Sequence, residues 1–216
     1  MTGLLYKDIL VMRATFIIQA VIMPFYIVLA YFDILNFVFI ITYFNTMLMV
    51  MPLSAFALDG QAKWDRYAMS LPMGRRAVVR ARYLFILILA LSNFALGLSG
   101  SAALWGFQGE DILKALGLLM ASSTLGLLVS GVLLPISYQS GAERARIALY
   151  AILLIPFFAI LLLYTSGILD LSVLNSLDSL SAAALVGRGA LLLLGGLAAM
   201  LASYLVSCRI AAAKEY

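Results

Sequence analysis

Residues 64–83 read WDRYAMSLPMGRRAVVRARY, and this arginine-rich stretch separates two long apolar runs, Ile34–Leu58 and Tyr83–Phe107. The whole chain is 216 residues long, 65% hydrophobic and only 11% charged, with a mean hydropathy of +1.09. So few charges cannot coat a water-soluble globule of this size. The sequence therefore predicts a membrane protein in which the quoted stretch is a polar loop between two spans.

Six apolar runs are long enough to cross a hydrocarbon core about 30 Å thick, which takes roughly 20 helical residues. They are Ala14–Phe32, Ile34–Leu58, Tyr83–Phe107, Ala115–Ile136, Ile147–Thr165 and Gly189–Cys208. Because the runs are continuous and lack the alternation of a membrane barrel, all six are predicted to be α-helices. We expect one all-α membrane domain over residues 1–216, with no ATPase domain and no cleaved signal.

The distribution of basic residues predicts the orientation of these spans. With the N-terminus in the cytoplasm, the inner segments hold 12 of the 14 Lys and Arg residues and a net charge of +7, whereas the outer segments carry −3. Both termini are therefore predicted to be cytoplasmic, and residues 64–83 lie in the largest inner loop. The pI near 9.3 follows from this topology and requires no nucleic-acid partner.

The first part of the loop, Lys63–Leu71, has the pattern of a short amphipathic helix. Its apolar residues fall on one helical face: Trp64, Tyr67, Ala68 and Leu71. One interpretation is interfacial anchoring, with the arginines at anionic headgroups and the aromatic rings at the membrane surface. The other is a docking element that passes the motion of a soluble partner to the two spans it joins.

The loop resembles the segment between the second and third spans of ABC-2 type transporter permeases. In that family an aromatic stretch leads into Ser-Leu-Pro, followed by Arg, Val and Arg-Tyr, and here these are Ser70-Leu71-Pro72, Arg75, Val79 and Arg82-Tyr83. The opening MTGLLYKDILVMR is similar to the family's N-terminal LLxKD start, with Lys7 and Asp8 in place. The layout of six spans extends the resemblance over the whole chain.

The resemblance implies a dimer of permeases, each bound to a cytoplasmic ABC ATPase through a coupling helix in this loop. That docking role is carried over to Trp64, Arg66, Tyr67, Leu71 and Arg75. A homodimer is favoured, with a heterodimer as the alternative. Because the chain lacks the Gly-x-x-x-x-Gly-Lys-[Ser/Thr] phosphate loop, we expect no cofactor in it, and ATP and Mg²⁺ are expected on the separate ATPase.

The resemblance also implies an interfacial elbow helix at the N-terminus. It would turn four apolar residues toward lipid: Leu4, Leu5, Ile9 and Met12. The alternative is an irregular lead-in to the first span.

The outer segment between the last two spans, Ser166–Arg188, is unusually apolar, with a hydrophobic residue at nearly every third position. We expect one or two short helices that lie on, or dip into, the outer leaflet, as the resemblance also implies. The alternative is a segment buried against neighbouring helices. Arg188 is a candidate for contact with substrate or a second permease, with interfacial snorkelling as the alternative.

Small residues spaced four apart predict close helix packing on two of the spans. They are Ser122, Gly126 and Ser130 on the fourth span, and Gly195, Ala199 and Ser203 on the sixth.

The composition argues against enzymes and proton-coupled transporters. The sequence contains no histidine, so the Gly97-Leu98-Ser99-Gly100 stretch lacks the base that an intramembrane serine protease needs, and His-based metal sites are excluded. No catalytic residue and no metal site is predicted. No Asp, Glu, Lys or His lies in the middle of a span, where a proton-coupled transporter needs a titratable group.

The sequence and the resemblance together predict the permease subunit of an ATP-driven exporter in a bacterial plasma membrane. Apolar walls with scattered hydroxyl and amide groups suit amphipathic or hydrophobic cargo, and an amphipathic peptide is ranked first. Two alternatives stay open, an ion-coupled transporter and a membrane scaffold or sensor that moves nothing.

Overall fold

The computed structural model describes residues 2–32, 34, 37–62, 64, 75–108, 112–168 and 181–213. Within these ranges the elements are seven α-helices: α1 (Thr2–Val11), α2 (Arg13–Tyr31), α3 (Phe37–Gln61), α4 (Arg75–Gln108), α5 (Ile112–Ser140), α6 (Ala142–Thr165) and α7 (Ala182–Ala213). The predicted all-helical membrane class is confirmed.

Five segments of the described chain are long and apolar enough to cross a bilayer: α2, the stretch Arg76–Ala102 of α4, α5, α6 and α7. The helix α3 coincides with the second predicted span but is not among these five. The arrangement with six spans therefore stays a prediction.

Two helices extend beyond the apolar runs from which they were predicted. The helix α4 includes the basic residues from Arg75 onward, because their stems can reach from a helix to headgroups and water. The helix α7 begins at Ala182, where the hydroxyl of Ser181 accepts the backbone N–H of Ala184 at 3.3 Å as an N-cap. Residues 182–188 thus continue the last span instead of forming a separate outer helix, and residues 169–180 lie outside the described chain.

The helix α5 is the centre of the bundle and packs against α3, α4, α6 and α7. Its closest partner is α7, along a seam of small residues spaced seven apart: Gly117, Thr124 and Gly131 on α5, and Gly189, Gly196 and Ser203 on α7. A Cβ added at Gly189 would come within 2.8 Å of the Gly117 carbonyl oxygen. Seven-residue spacing keeps each set on one helical face, so the two backbones stay close over four turns.

The helix α6 leaves the bundle soon after it begins. Gly141, with a φ of 86°, makes the turn from α5, and the first turns of α6 bury Ala145 and Leu149. From Leu153 to Ile168 every residue is exposed. This half of α6 therefore presents apolar side chains around its whole circumference.

The largest buried apolar cluster lies where α3 ends and α4 begins, at what we call the loop end of the bundle. It joins residues of α3, α4, α5 and α7 with the residue that follows α1: Met51, Ala55, Val79, Phe85, Ile86, Leu134, Ala211 and Met12. This core holds in place the polar groups described next.

Candidate functional site

Four charged side chains from three helices meet at the loop end, and we call them the four-charge cluster: Lys7, Asp8, Asp59 and Arg82. Lys7 Nζ lies 2.7 Å from Asp59 Oδ1 and 3.0 Å from Asp8 Oδ1. The Arg82 guanidinium lies 3.2 Å from Asp8 Oδ2 and also pairs with Asp59. The contacts close a ring of alternating sign with no net charge.

The cluster is buried, which makes its pairing energetically important. Asp8, Asp59 and Arg82 expose only 4%, 7% and 5% of their surface. An isolated charge in such surroundings is strongly unfavourable, and mutual pairing offsets the loss of hydration only when each charge has its partners. The ring satisfies that condition, so it holds only when α1, α3 and α4 are all in place.

The two acids lie where their own helices do not stabilise them. Asp8 is in the last turn of α1 and Asp59 in the last turn of α3. The negative end of a helix dipole disfavours an anion at this position. The contacts of these acids with Lys7 and Arg82 therefore account for their placement, and local helix chemistry does not.

Aromatic rings cover both cations of the cluster. Lys7 Nζ lies 4.4 Å from the centroid of the Trp64 ring, and the guanidinium carbon of Arg82 lies 4.6 Å from that of Phe56. Phe56 in turn meets Tyr138 of α5 edge to face, with centroids 5.0 Å apart. The cluster is thus in contact with Trp64, the first aromatic residue of the loop, and with the central helix.

The residue after Arg82 makes a second set of polar contacts, which we call the hydroxyl chain. The Tyr83 hydroxyl lies 2.6 Å from Ser203 Oγ and 2.8 Å from Ser207 Oγ, both on α7. Ser203 donates its single proton to the Gly131 carbonyl of α5. Because each hydroxyl has one proton, Tyr83 donates to Ser203 and Ser207 donates to Tyr83.

Arg82 and Tyr83 therefore join the two sides of the bundle. Consecutive helical residues point about 100° apart, so Arg82 reaches α1 and α3 while Tyr83 reaches α7 and, through Ser203, α5. A movement of the first turns of α4 would strain both sets of contacts at once. The dipeptide can accordingly transmit displacement from the loop to the membrane helices.

A cavity of about 370 Å³ also opens at the loop end, between the end of α3 and the turn from α5 to α6. Phe56, Gln61, Tyr138 and Arg146 contribute to its walls. Phe56 lies against Arg82 of the four-charge cluster, so the cavity and the cluster are neighbours. Among the described residues no group of three His, Cys, Asp or Glu side chains could hold a metal ion.

The predicted docking residues lie mostly outside the described chain, which excludes Arg66, Tyr67 and Leu71. Trp64 is half-buried over Lys7, and Arg75 is the first residue of α4. The predicted elbow segment is the helix α1. Leu4 and Met12, expected to face lipid, are instead buried because they pack on α4 and the core, whereas Leu5 is half-buried and Ile9 is exposed.

The predicted packing residues divide between two interfaces and the surface. Gly126 lies against Leu48 of α3, and Ser130 donates to the Leu48 carbonyl at 3.2 Å, whereas Ser203 faces α5. Ser122 is half-buried and donates to the carbonyl of Leu119 in its own helix, and Ala199 is half-buried. Gly195 is exposed with no atom near it.

Arg188 lies exposed near the start of α7. It forms no ion pair with any residue in the described ranges.

Sequence reasoning missed the four-charge cluster, although each of its members was visible. Lys7, Asp8 and Arg82 appeared only as parts of motifs, and Asp59 only as an inner charge. The available signal was an acid in the last turn of a long apolar helix together with an arginine inside the next apolar helix. Each is unfavourable alone, so the two together predict a buried pair.

One family model matches nearly the whole chain, over residues 3–212, and its description is "ABC-2 family transporter protein". No curated protein and no solved structure matches. The matched range contains all four charges of the cluster and the complete hydroxyl chain.

Proposed function

Because the chain belongs to the ABC-2 transporter family as a membrane permease, we propose that a separate cytoplasmic ATPase drives it through the four-charge cluster. The ATPase docks on residues 64–75, and its closure displaces Trp64 and the start of α4. Arg82 and Tyr83 pass that displacement to α3, α5 and α7. The observation that carries the proposal is the ring of Lys7, Asp8, Asp59 and Arg82, which ties both flanks of the loop to α1.

The cavity beside the cluster supplies a second contact for the ATPase. Its mouth lies at the loop end, and its wall contains Arg146, which is paired with Glu143 at 3.1 Å on an exposed surface. An exposed pair exchanges partners readily because it contributes little to stability. A side chain of the ATPase that enters this cavity would contact Phe56 and so reach the cluster from the opposite side.

The membrane arrangement in this proposal has six spans, with both termini in the cytoplasm, and α3 is the second span in chain order, added to the five apolar segments named above. The helix α3 has 25 residues, about 37 Å, which exceeds the hydrocarbon thickness of about 30 Å. Two copies associate, with the exposed half of α6 supplying apolar surface for the second copy. Twelve spans can enclose a pathway, whereas six form a thin wall.

The cargo in this proposal is amphipathic or hydrophobic, an amphipathic peptide first, and the direction is export from a bacterial cell. Support comes from the composition of the helices, which are apolar but carry scattered hydroxyl groups such as those of Ser92 and Ser99 on α4. Such groups satisfy their protons on carbonyls of their own helix and leave lone pairs for a passing polar group.

The proposal is tested with the permease purified together with the ATPase from native membranes. Asp59→Asn and Arg82→Gln in one variant remove one negative and one positive charge, so no unpaired charge is left in the core. We expect this variant to bind the ATPase. The rate of ATP hydrolysis stimulated by an amphipathic Lys/Leu helical peptide should fall at least tenfold. Arg144→Gln, exposed on α6, is the matched control.

Wild-type stimulation in the double variant would show that the cluster does not transmit motion. Peptide transport by the purified permease without any ATPase would overturn the proposal as a whole. Unchanged hydrolysis with and without peptide in the wild type would favour a scaffold.

A further inference from the structure

A groove runs along the outside of the bundle between α4 and α7. Its walls and floor are made of eight residues: Arg80, Tyr83, Leu84 and Leu87 of α4, and Leu197, Met200, Leu201 and Tyr204 of α7. It encloses about 390 Å³, and its lining is almost entirely hydrocarbon and aromatic carbon. Tyr83 and Met200 are buried and form the floor, whereas the leucines stand exposed along the rims.

The groove runs parallel to the helices and has one charged end. Leu84 and Leu87 follow Arg80 at helical spacing, and Leu201 and Tyr204 follow Leu197 in the same way. Seven residues of helix rise about 10 Å. One leaflet makes up half of a hydrocarbon core about 30 Å thick, so the groove is shorter than a leaflet. The contact of Tyr83 with Ser203 and Ser207 places Arg80 at the Tyr204 end.

The charge at this end has no counter-ion among the residues that the structure describes. Arg80 is exposed and forms no ion pair with any residue that the structure describes, whereas Arg82, two positions later, is paired with two carboxylates. With the loop end in the cytoplasm, Arg80 lies at the level of the inner headgroups. The inner leaflet carries anionic lipids, and a basic side chain at its surface attracts them.

We propose that this groove binds one anionic phospholipid of the inner leaflet, with the phosphate on Arg80 and an acyl chain between the leucine rims. Both parts of the ligand match the site, because a single cation borders an apolar channel that runs into the membrane. A second copy is instead expected on the exposed half of α6, which leaves this groove open to lipid.

The bound lipid restricts movement between α4 and α7. Tyr83, on the floor of the groove, also belongs to the hydroxyl chain and contacts Ser203 and Ser207 of α7. An acyl chain over its ring would therefore restrict the same helix contact from the membrane side. This inference rests on the membrane orientation of the proposed function but on no property of the ATPase.

The test uses the full-length permease alone, reconstituted in phosphatidylcholine vesicles. Phosphatidylglycerol with a spin label on its acyl chain is added in trace amounts, and electron spin resonance gives its association relative to labelled phosphatidylcholine. Arg80→Gln should lower the preference for phosphatidylglycerol about fivefold at low salt. Arg76→Gln, an exposed arginine outside the groove, is the matched control and should leave the preference unchanged.

A second pair of variants tests the apolar part. Leu197→Trp fills the groove and should remove the preferentially bound phosphatidylglycerol, whereas Leu194→Trp, exposed and outside the groove, should not. Equal losses in Arg76→Gln and Arg80→Gln would overturn the proposal in favour of diffuse surface charge. Equal binding of both lipids to the wild type, or no effect of Leu197→Trp, would also overturn it. Because no ATPase is present, failure here leaves the docking proposal standing.

Discussion

Arg82 and Asp59 lie 23 residues apart, one on each side of the connection between α3 and α4, and their side chains form a buried ion pair. The pair fixes the distance between the end of α3 and the start of α4. Asp8 contacts the same guanidinium and adds α1 to the junction. A loop whose two flanks are locked in this way can move the membrane helices, whereas a loop on flexible stems would absorb the movement.

Removing Arg82 should destabilise the permease severely. Arg82→Gln leaves two buried carboxylates with only Lys7 between them, and breaking a buried pair in this way costs about 3–5 kcal/mol. Thermal unfolding in nanodiscs should show a clearly lowered midpoint. Arg144→Gln, an exposed residue in the first turn of α6, should stay within about 0.5 kcal/mol of the wild type. A midpoint for Arg82→Gln equal to that of the control would contradict the buried pairing.

Neutralising both partners should be less harmful than the sum of the single changes. Asp59→Asn combined with Arg82→Gln leaves Lys7 with Asp8, so the remaining charges are balanced. A double-mutant cycle on unfolding free energies should give a coupling of about 1–3 kcal/mol. Strict additivity would mean that Asp59 and Arg82 do not interact in the folded protein.

Charge placed in the predicted docking face should separate the permease from its ATPase. Replacing Trp64 and Leu71 together with Asp is expected to abolish ATPase co-purification while membrane insertion is retained. Tyr6→Asp, on the exposed side of α1, controls for added charge at the same membrane surface. Recovery of the ATPase at wild-type yield with the double variant would refute the docking assignment.

The stability that the hydroxyl chain contributes should depend on the hydroxyl group of Tyr83. Tyr83→Phe keeps the ring against Tyr204, at 5.4 Å between centroids, but leaves the proton of Ser207 and a lone pair of Ser203 without partners. The expected loss of unfolding free energy is about 1–3 kcal/mol. Tyr150→Phe, exposed on α6, should have no measurable effect. Equal midpoints for the two variants would show that the chain contributes nothing.

The close approach of α5 and α7 can be tested with two glycines on one helix. Gly189→Ala brings a methyl group to 2.8 Å from the Gly117 carbonyl oxygen, so the backbones must separate, at a cost of about 1–3 kcal/mol. Gly195→Ala meets nothing within 4 Å and should leave the midpoint unchanged or slightly raised. The reverse order of stabilities would place the seam on a different face of α7.

The composition and the loop sequence were enough to predict the helical membrane class and the family. A charge content of 11% leaves membrane burial as the only way to satisfy the apolar runs, and the Ser-Leu-Pro and LLxKD patterns pointed to the ABC-2 permeases, as the family model confirms. The six spans, the orientation, the ATPase and the peptide cargo stay predictions. The groove and the charge cluster were not foreseen, because both are made by residues far apart in the chain.

The sequence by itself determined that this chain is a helical membrane permease, because hydropathy and short motifs act locally and do not depend on which helices meet. Only the tertiary structure decided which faces meet. It turned Gly126 and Ser130 toward α3, built the α5–α7 seam from small residues spaced seven apart, and buried Leu4 and Met12. The physical reason is that lipid is as apolar as leucine, so hydropathy cannot distinguish a face that contacts lipid from one that contacts protein.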